Sequence, residues 1–450
     1  MQNAMATGYG LRQRLIRNRG EYPRFFRELD AQQWWSTTQL QELQDAAVRR
    51  TVEFAATNVP YYREMFAERG LQPKAIRTAA DLRVLPFLDK GIVQREGHRL
   101  RPDRVDVPAI AQTTGGTTGR PVPYFTSPAC VQFNYATYES RFRRWAGVEF
   151  GDRMVSINGK PIVPMTQSGP PYWRHNLAFN QLYVSAYHLS DANLPAIIER
   201  MAEFAPRVIV AYTSAAHRIA RFMNEHGWSG RVRPHAVLVS SETVFDWQRA
   251  DMERAFACKV FNGYSLGEPV CFVSECPEGS MHVSPEYGVI ELLETEGGHE
   301  IVATGLINDA RPFLRYRTGD LAEPGDGRAC RCGRGLPTIG AIIGRVDDMV
   351  VTPEGVTVGP AALSLAFQSV TNLRESQIVQ DSADRITLLL ATTAAYGPAD
   401  EQFLLVELRK RLGLTLAIEL SYVDAVPRTS GGKQRLIVSS LKRASPAAVT

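Results

Sequence analysis

The chain has few cysteines, no long apolar segment and little net charge. Six cysteines in 450 residues are too few for a disulfide scaffold. No run of about 18 apolar residues occurs, which argues against a transmembrane helix, and the N-terminus lacks the continuous apolar segment of a secretory signal. A formal charge of +4 is too small to indicate nucleic-acid binding. We therefore expect a protein of the cytoplasm, with neither a membrane nor a nucleic acid as partner.

The composition is that of a folded globular protein larger than one hydrophobic core. Hydrophobic residues make up 44% of the chain and charged residues 22%, which are ordinary values for globular domains. A chain of this length exceeds the usual size of a single core. The sequence therefore predicts at least two structural units.

Hydrophobic periodicity places the first unit before residue 345. Residues 38–70 carry apolar residues at three- and four-residue steps, which is typical of helices. From about 130 to 290, short apolar runs alternate with amphipathic segments, and this pattern predicts a parallel sheet covered by helices. Hairpin-like strands follow Tyr287. We predict an α/β fold whose large N-terminal domain, residues 1–345, consists of helix-covered β-sheets.

The rest of the chain, residues 346–450, predicts a small α+β domain. A strand in "DMVVTPEGVTVGP" is followed by a helix, two strands, a long helix and a final strand in "AIELSYVDAVP". This β-α-β-β-α-β order is that of the ferredoxin-like arrangement. A Gly-flanked loop, "PRTSGGKQR", follows the last of these strands.

The stretch "QTTGGTTGRPVPYFTS", residues 112–127, has the composition of an anion-binding loop. Its glycines permit backbone conformations in which successive N–H groups converge on an anion. Its threonine hydroxyls add donors, and Arg120 adds a fixed positive charge suited to phosphate. The GxxxxGK[ST] spacing of a Walker A loop is absent. Taken alone, the stretch is either a phosphate-binding loop or an ordinary turn.

Two further stretches carry acidic residues that suit a nucleotide. In "NGYSLGEP", a strand ends and brings Tyr264 and Glu268 into one turn. Glu268 is either a ligand for the Mg²⁺ that accompanies nucleotide phosphates or a solvated loop carboxylate. In "RYRTGDLAE", Asp320 suits the two vicinal hydroxyls of a ribose, and the alternative is an Asx turn.

Two more stretches lie at and beyond the predicted boundary. In "IIGRVDDMVVTPEG", Arg345 stands where a cleft between two domains would lie. Asp347 and Asp348 follow it and are also compatible with plain turn residues. In "PRTSGGKQR", the loop presents Lys433, which is either functional or an ordinary surface lysine.

Four cysteine and histidine residues have the spacing of a metal site. "ECPEGSMH" supplies Cys276 and His282, and "CRCG" supplies Cys330 and Cys332. A C-x5-H pair and a C-x-C pair together give four ligands, enough for tetrahedral Zn²⁺. Because all four belong to predicted loops, we expect a closed structural site. Reduced cysteines beside an ordinary histidine are the alternative, and Cys271 is a reserve ligand.

In their order along the chain, these stretches resemble the adenylate-forming superfamily of acyl-CoA synthetases, and most closely its phenylacetate–CoA ligase and CapK-type branch. The resemblance covers nearly the whole chain and includes "NVPYYREMF", "DLRVLPFLDK", "VSSETV", "ECPEGSMHV" and "NDARPFLRYRTGD". It implies an enzyme that uses ATP and Mg²⁺ to convert a carboxylic acid into an acyl-adenylate with release of pyrophosphate. It further implies transfer of the acyl group to CoA, and a structural Zn²⁺ in the cysteine and histidine cluster.

The resemblance assigns a role to each matched position. The residues that would hold the β- and γ-phosphates of ATP are Thr113, Thr114, Gly115, Gly116, Thr117, Thr118, Gly119 and Arg120, the last in place of a commoner lysine. The residues that would surround the adenine, ribose and acyl group are Ser240, Ser241, Glu242, Tyr264, Asp320 and Arg345. The family turn usually reads Y-G-x-S/T-E, whereas this chain reads Y-S-L-G-E, so the Glu is retained but its small neighbours differ.

The remaining assignments concern catalysis and domain motion. The resemblance implies that Glu268 is associated with Mg²⁺ and that Lys433 meets the carboxylate and the α-phosphate. Together with Arg120 they would neutralise the two reacting anions, which is the electrostatic demand of this reaction. Asp347 matches the hinge about which the C-terminal domain rotates, and that rotation would remove Lys433 and admit the acceptor.

The sequence leaves the acid and its acceptor open. Four aromatic residues either line an acid pocket or belong to the core: Tyr135, Tyr138, Tyr172 and Trp173. The stretch "NGKPIVPMTQSGPPYWRHN" departs from the phenylacetate–CoA ligase pattern, so phenylacetate is not carried over as the substrate. Transfer of the acyl group to an amine or a carrier protein is one alternative, and a non-catalytic relative that binds a nucleotide or an acid is another. A second copy of the chain, as a homodimer, also stays open.

Overall fold

The computed structural model describes residues 2–113, 123–160, 162–164, 166–295, 298–345, 348–353, 357–368, 370, 372–429 and 432–441. The predicted phosphate-loop positions 114–120 and the predicted hinge position 347 lie outside these ranges. Thr113 and Arg345 are described as backbone only, each at the end of a strand.

Helices form the N-terminal segment and cover the sheets. The α-helices of the described chain are α1 (Gln2–Arg17), α2 (Tyr22–Gln32), α3 (Thr37–Asn58), α4 (Pro60–Glu68), α5 (Lys90–Glu96), α6 (Pro128–Thr137), α7 (Leu194–Phe204), α8 (Thr213–Glu225), α9 (Asp246–Phe256), α10 (Pro360–Gln368) and α11 (Pro398–Leu412). Shorter 3-10 and π segments are Pro73–Ala75, Ala80–Val84, Gly97–Leu100, Tyr138–Arg143, Arg144–Ala146, Leu177–Phe179 and Ala186–His188. None of the described helices combines the length and apolar character that a bilayer span needs.

Local sequence explains the predicted helices over residues 38–70. α3 begins at Ser36, whose hydroxyl accepts a hydrogen bond from the backbone N–H of Gln39, while the Gln39 side chain accepts one from the Ser36 N–H. This capping box satisfies two donors that the first turn leaves unpaired. α3 gives way to α4 at Pro60, the first residue of α4, where a fixed φ and a missing N–H are tolerated. The prediction of two successive helices is confirmed.

The described strands form one large sheet and three smaller ones. The strands are β1 (Ile110–Thr113), β2 (Pro123–Thr126), β3 (Met154–Asn158), β4 (Trp173–Asn176), β5 (Gln181–Ser185), β6 (Val208–Tyr212), β7 (Ala236–Ser240), β8 (Lys259–Ser265), β9 (Phe272–Glu275), β10 (Met281–Val283), β11 (Gly288–Thr295), β12 (Gly298–Gly305), β13 (Tyr316–Pro324), β14 (Thr338–Arg345), β15 (Val350–Val351), β16 (Thr357–Val358), β17 (Leu373–Ser382), β18 (Arg385–Thr392), β19 (Ala417–Tyr422) and β20 (Ile437–Ser439). The large sheet has 12 strands in the order β11-β12-β13-β14-β10-β9-β8-β7-β6-β3-β5-β4.

The centre of the large sheet confirms the prediction of parallel strands covered by helices. Strands β5, β3, β6, β7 and β8 pair in parallel, and α7, α8 and α9 pack on them through a continuous apolar cluster. From β3 the chain passes first to β5 on one side and then to β6 on the other. Such a reversal leaves a crevice at the carboxyl ends of the strands, where ligands of α/β proteins usually bind.

The second half of the large sheet is antiparallel, as the hairpin-like pattern after Tyr287 predicts. β11 pairs with β12 and β12 with β13, and the face of these strands packs on α3 and α4 in a second apolar cluster. The chain thus switches from helical crossovers between parallel strands to antiparallel connections within one continuous sheet.

The residues after 345 form a separate small sheet with its own core. Four strands lie in the order β19-β18-β17-β20, and α10 and α11 pack on them around buried leucines. We call the described residues from 348 to 441 the C-terminal unit. A boundary near 345 stays a prediction.

The topology of the C-terminal unit differs from the predicted β-α-β-β-α-β order at both ends. The first predicted strand is a separate hairpin of β15 and β16, with two residues in each strand. The place beside β17 is taken by β20, which pairs with it in parallel. β20 has three residues, too few for periodicity to reveal, because a strand pattern needs at least four.

Candidate active site

A cleft of about 1170 Å³ lies at the carboxyl ends of the central parallel strands and extends to the C-terminal unit. Strand β3 ends at Asn158, β6 at Tyr212, β7 at Ser240 and β8 at Ser265. Residues at or just beyond each of these ends line the cleft. The cleft therefore lies at the strand reversal between β3 and β6, where the topology leaves a crevice.

Tyr264 and Asp320 meet in the cleft although their strands are not neighbours. The Tyr264 hydroxyl donates to Asp320 Oδ2 at 2.8 Å. β8 and β13 are four steps apart in the sheet order, which in a flat sheet would separate them by roughly 19 Å, at about 4.8 Å per step. A tyrosine and an aspartate side chain cannot span that distance, so the sheet curls and brings its antiparallel half over the cleft.

The electrostatics of this pair keep a donor and an acceptor in place. Burial, followed by the charge of Asp320, raises the pKa of Tyr264 well above its ordinary value, so the hydroxyl stays protonated. The Asp320 backbone N–H donates to Thr318 Oγ1 at 3.0 Å. Asp320 also faces Arg345 in the backbone register of β13 and β14. The two predicted ribose-side positions, 320 and 345, are therefore neighbours.

Glu268 lies in the same cleft, in the turn that follows β8. It is half-buried and lines the cleft together with Tyr124 and Tyr264. Burial, followed by the negative charge of Glu268, raises the pKa of Tyr124 to about 12. The Glu268 carboxylate therefore lies close enough to Tyr124 to disfavour ionisation of its hydroxyl. A carboxylate oxygen beside a polar cleft is the kind of ligand that Mg²⁺ takes together with water and phosphate oxygens, and Glu268 fits that role.

The segment after β7 carries backbone strain. Ser241 has φ +73°, a left-handed conformation that non-glycine residues rarely adopt. Ser241 also lines the cleft. Strained residues of this kind concentrate at functional sites. Next to it, burial raises the pKa of Glu242, and hydrogen bonds from Ser214 and the Gln434 backbone oppose that rise.

Lys433 reaches the cleft from the C-terminal unit. Its Nζ lies 5.9 Å from the centroid of the Tyr212 ring, and the residue lines the cleft. Gly432, which precedes it, has φ +75°, and a Cβ added there would lie 3.1 Å from Cα of Gly159. We call residues 432–434 the lysine loop. A glycine at position 432 is therefore needed for this loop to approach the end of β3.

The structure brings six of the predicted site residues together in the cleft. The predicted residues that line the cleft are Ser241, Glu242, Tyr264, Glu268, Asp320 and Lys433. Asp348, beside the predicted hinge, also lines it and pairs with Arg435. Positions 114–120 and 347 lie outside the described residues, so their predicted roles stay predictions.

Sequence reasoning missed several cleft residues. These are Lys90, Asn158, Tyr212, Ser214, Asn262, Thr318 and Gln434. A signal for two of them was present, because Tyr212 ends the apolar run "RVIVAY" and Ser214 lies two residues after it, and parallel strands present functional residues at their carboxyl ends.

None of the four aromatic residues considered for an acid pocket is among the described residues that line the cleft. Tyr172 is 2% exposed and stacks on His188 at 5.1 Å between ring centroids, so it belongs to the core. Tyr138 packs edge-on against Phe142 at 5.6 Å, and Trp173 packs against the core of the parallel sheet. Tyr135 instead faces a cation, since Arg17 Cζ lies 4.1 Å from its ring centroid.

The predicted metal cluster is assembled at the far end of β9 and β10. The ligand atoms of Cys276, His282, Cys330 and Cys332 all lie within 4.8 Å of one another. Cys276 Sγ lies 3.6 Å from Cys330 Sγ, and Cys332 Sγ lies 3.3 Å from His282 Nε2. The sulfur–sulfur distance is far too long for a disulfide bond of about 2.0 Å.

This geometry fits zinc. Around a tetrahedral Zn²⁺ with Zn–S bonds of about 2.3 Å and Zn–N bonds of about 2.0 Å, neighbouring ligand atoms lie roughly 3.5–3.8 Å apart. His282 Nδ1 lies 3.0 Å from the Leu336 carbonyl oxygen. With the proton on Nδ1, Nε2 is free to bind a metal, the usual outer-sphere arrangement of a zinc histidine. The reserve ligand Cys271 lies instead in the apolar core, where burial raises the pKa of its thiol.

Comparisons with known proteins agree with this geometry. A family model described as the CapK C-terminal domain matches residues 350–440. Protein CapK of Staphylococcus aureus is 30% identical over 407 residues, which cover 89% of this chain and 89% of that protein. A phenylacetate-coenzyme A ligase of Thermus thermophilus is 26% identical over 444 residues, which cover 90% of this chain and 97% of that enzyme.

A solved structure extends the likeness to the fold. 2-Hydroxyisobutyryl-CoA ligase, in the postadenylation state in complex with R3-HIB-AMP, superposes with a TM-score of 0.70 at 18% identity, and the match covers 91% of each chain. The chain thus has the fold of the adenylate-forming enzymes.

The chain belongs to the adenylate-forming superfamily, in the branch that contains CapK and the phenylacetate–CoA ligases. The resemblance predicted from the sequence motifs is confirmed.

Proposed function

We propose that this chain activates a carboxylic acid with ATP and passes the acyl group to the thiol of CoA. The observation that carries the proposal is the convergence of Tyr264, Glu268, Asp320 and Lys433 in one cleft. These residues come from two halves of a curled sheet and from the C-terminal unit. The names of the relatives, which include CoA ligases, support the same chemistry.

In the first step, an oxygen of the acid carboxylate attacks the α-phosphorus of ATP. The bond from that phosphorus to the β-phosphate oxygen breaks, and pyrophosphate leaves with the electron pair. Two anions must approach each other, so their charge has to be neutralised in a fixed geometry. We assign this role to Lys433, which would contact the carboxylate and the α-phosphate, and to Arg120 on the phosphates.

The nucleotide would be held by residues that the sequence motifs predict, among them Asp320, Tyr264, Ser241 and Glu242, which line the cleft. Asp320 would accept hydrogen bonds from the ribose hydroxyls, and Tyr264 would hold Asp320 in place while its ring lies beside the adenine. The segment of Ser241 and Glu242 would border the adenine and the acyl group. Arg345 would complete the ribose and phosphate side, and residues 113–119 would cover the phosphates.

Two metal ions belong to the proposal. Glu268 would hold Mg²⁺, which when bound supplies positive charge to the phosphates. Cys276, His282, Cys330 and Cys332 would hold a structural Zn²⁺, because their spacing and the contact of His282 Nδ1 with the Leu336 carbonyl oxygen suit tetrahedral coordination.

In the second step, the thiol sulfur of CoA attacks the acyl carbon and AMP leaves with the bridging oxygen. The thiol proton is released. We propose that residues 346–450 form a mobile domain that turns about Asp347 between the two steps and withdraws Lys433.

Pyrophosphate release with a panel of aryl and alkyl acids, with and without CoA, tests the proposal. We expect release with at least one acid, and formation of the acyl-CoA when CoA is added. Release that yields an acyl-adenylate but no acyl-CoA would assign the acyl group to an amine or a carrier protein. The absence of release with every acid would contradict adenylation and favour a nucleotide- or acid-binding relative without catalysis.

A further inference from the structure

The Glu242 carboxylate joins the large sheet to the lysine loop. Its Oε2 accepts a hydrogen bond from the Ser214 backbone N–H at 2.7 Å, and its Oε1 accepts one from the Ser214 hydroxyl at 3.1 Å. Oε1 also accepts a hydrogen bond from the Gln434 backbone N–H at 2.9 Å. Gln434 directly follows Lys433, so one carboxylate ties the loop to the floor of the cleft.

The large-sheet side of this contact is complete without the C-terminal unit. Ser214 is the second residue of α8, and its N–H is one of the donors that a helix N-terminus leaves unpaired within the helix. A carboxylate in that place is also favoured by the helix dipole. Glu242 is therefore held in a fixed position, ready to accept one more donor.

Lys433 is hydrogen-bonded to Thr429 beside the contact with Glu242. The Thr429 N–H donates to the Lys433 carbonyl oxygen at 2.9 Å, and the Lys433 N–H donates to Thr429 Oγ1 at 3.1 Å. These two bonds restrict the Lys433 backbone relative to Thr429. Fixing the Gln434 N–H therefore fixes the direction in which Lys433 leaves the backbone.

A second path across the same boundary uses Ser214. Arg428 Nη1 donates to Ser214 Oγ at 3.3 Å, and Arg428 Nη2 donates to Glu375 Oε1 at 2.9 Å within the C-terminal unit. Ser214 is thus shared by Glu242 and Arg428. The C-terminal unit therefore contacts the large sheet through Arg428 and Gln434, one on each side of Lys433 in the sequence.

We propose that Glu242 is a positioning residue for the adenylation step, which it serves by holding Lys433 over the cleft through the Gln434 N–H. This inference rests on the proposed function for its chemistry. The contact has to open when Lys433 withdraws, so Glu242 positions Lys433 in the first half-reaction and not in the second.

The two half-reactions of a Glu242→Ala variant test the inference. Acid-dependent exchange of pyrophosphate into ATP reports the first step, and release of AMP from a supplied acyl-adenylate with CoA reports the second. We expect pyrophosphate exchange to fall at least tenfold and AMP release to fall by less, because loss of any contact between Glu242 and the adenylate affects both steps alike. An equal loss in both steps, or no loss in the first, would overturn the inference.

Asp191→Ala is the matched control. Asp191 accepts hydrogen bonds from Arg374 of the C-terminal unit at 2.6 Å and from Arg218 of α8, so it crosses the same boundary without touching the lysine loop. We expect pyrophosphate exchange to fall less in Asp191→Ala than in Glu242→Ala. Equal losses in the two variants would mean general docking of the unit and would contradict a specific role for Glu242.

Amide hydrogen exchange gives a readout that needs no acid, ATP or CoA. In the full chain, Glu242→Ala should speed exchange of the Gln434 amide at least tenfold, and Asp191→Ala should change it less. Unchanged exchange at Gln434 would overturn the inference even where adenylation is confirmed. Faster exchange without any acid-dependent activity would keep the contact and reject the proposed function.

Discussion

The cysteine and histidine cluster and the active-site cleft are built from distant stretches of the chain, but they differ in what holds them together. The cluster is formed by β10 and by the β9–β10 and β13–β14 connections of the large sheet, and Leu40, Trp145 and Leu336 pack around it. The cleft is open, and one of its walls belongs to the C-terminal unit. The geometry of the cluster therefore depends only on the fold of the large sheet. The geometry of the cleft depends also on the position of the C-terminal unit.

This difference separates the effects that substitutions should have. A change in the cluster should lower stability and, through it, every activity. A change in the cleft should alter individual steps and leave the free energy of unfolding nearly the same. Each of the following predictions can sharpen or break that contrast.

The largest effect is expected for Lys433→Ala. Removing one preorganised charge from a reacting centre lowers the rate by roughly 10²–10³-fold, so acid-dependent pyrophosphate exchange should fall by about that factor. The thermal midpoint should stay unchanged. Lys410→Ala is the control, because Lys410 is an exposed lysine of α11 that pairs with Glu407. Exchange that survives in Lys433→Ala would contradict the assigned role.

The next effect is expected for Cys332→Ser. Loss of a ligand should weaken zinc binding by more than the roughly 10–100-fold that outer-sphere partners contribute. Because metal binding is coupled to folding, the thermal midpoint should fall as well. Metal analysis and thermal unfolding of the purified protein measure both. Cys258→Ser is the control, since Cys258 lies outside the cluster, and equal metal content in both variants would rule out this ligand set.

A smaller effect is expected for Asp320→Ala. Hydrogen bonds to a charged group contribute about 1.5–3 kcal/mol, so the KM for ATP should rise roughly 10–100-fold. The KM for the acid should change much less, because the proposed ribose and acid positions differ. Steady-state kinetics with each substrate varied in turn measure the two values. A rise confined to the KM for the acid would contradict the assignment of Asp320 to the ribose.

The smallest effect is expected for Tyr264→Phe. The variant keeps the ring and loses the hydroxyl that donates to Asp320 at 2.8 Å. A single hydrogen bond contributes about 0.5–1.5 kcal/mol, so the KM for ATP should rise roughly 2–10-fold. In combination with Asp320→Ala the substitution should add little, because its partner is already gone. Full additivity would show that Tyr264 acts independently of Asp320.

Local patterns were sufficient to predict several parts of the molecule. The helical periodicity of residues 38–70 and the apolar runs between 130 and 290 depend on neighbours in the sequence, and both predictions are confirmed. The cysteine and histidine spacing predicted a cluster, because ligand types and short loops already restrict the geometry.

Long-range features were not predictable in the same way. The curl that brings Asp320 to Tyr264 results from the twist and pairing of the whole sheet. The contact between Glu242 and Gln434 uses a backbone N–H, which no residue type marks. Motif order predicted which residues share a cleft, and the structure was needed to find what positions them.

The most direct test of the central claim follows one oxygen atom. An acid labelled with ¹⁸O in its carboxylate is converted with ATP and CoA, and the AMP produced is analysed by mass spectrometry. The attacking carboxylate oxygen becomes the bridging oxygen of the acyl-adenylate and leaves with AMP, so we predict one ¹⁸O atom in each AMP. Unlabelled AMP, or formation of ADP and labelled inorganic phosphate, would contradict activation through an acyl-adenylate.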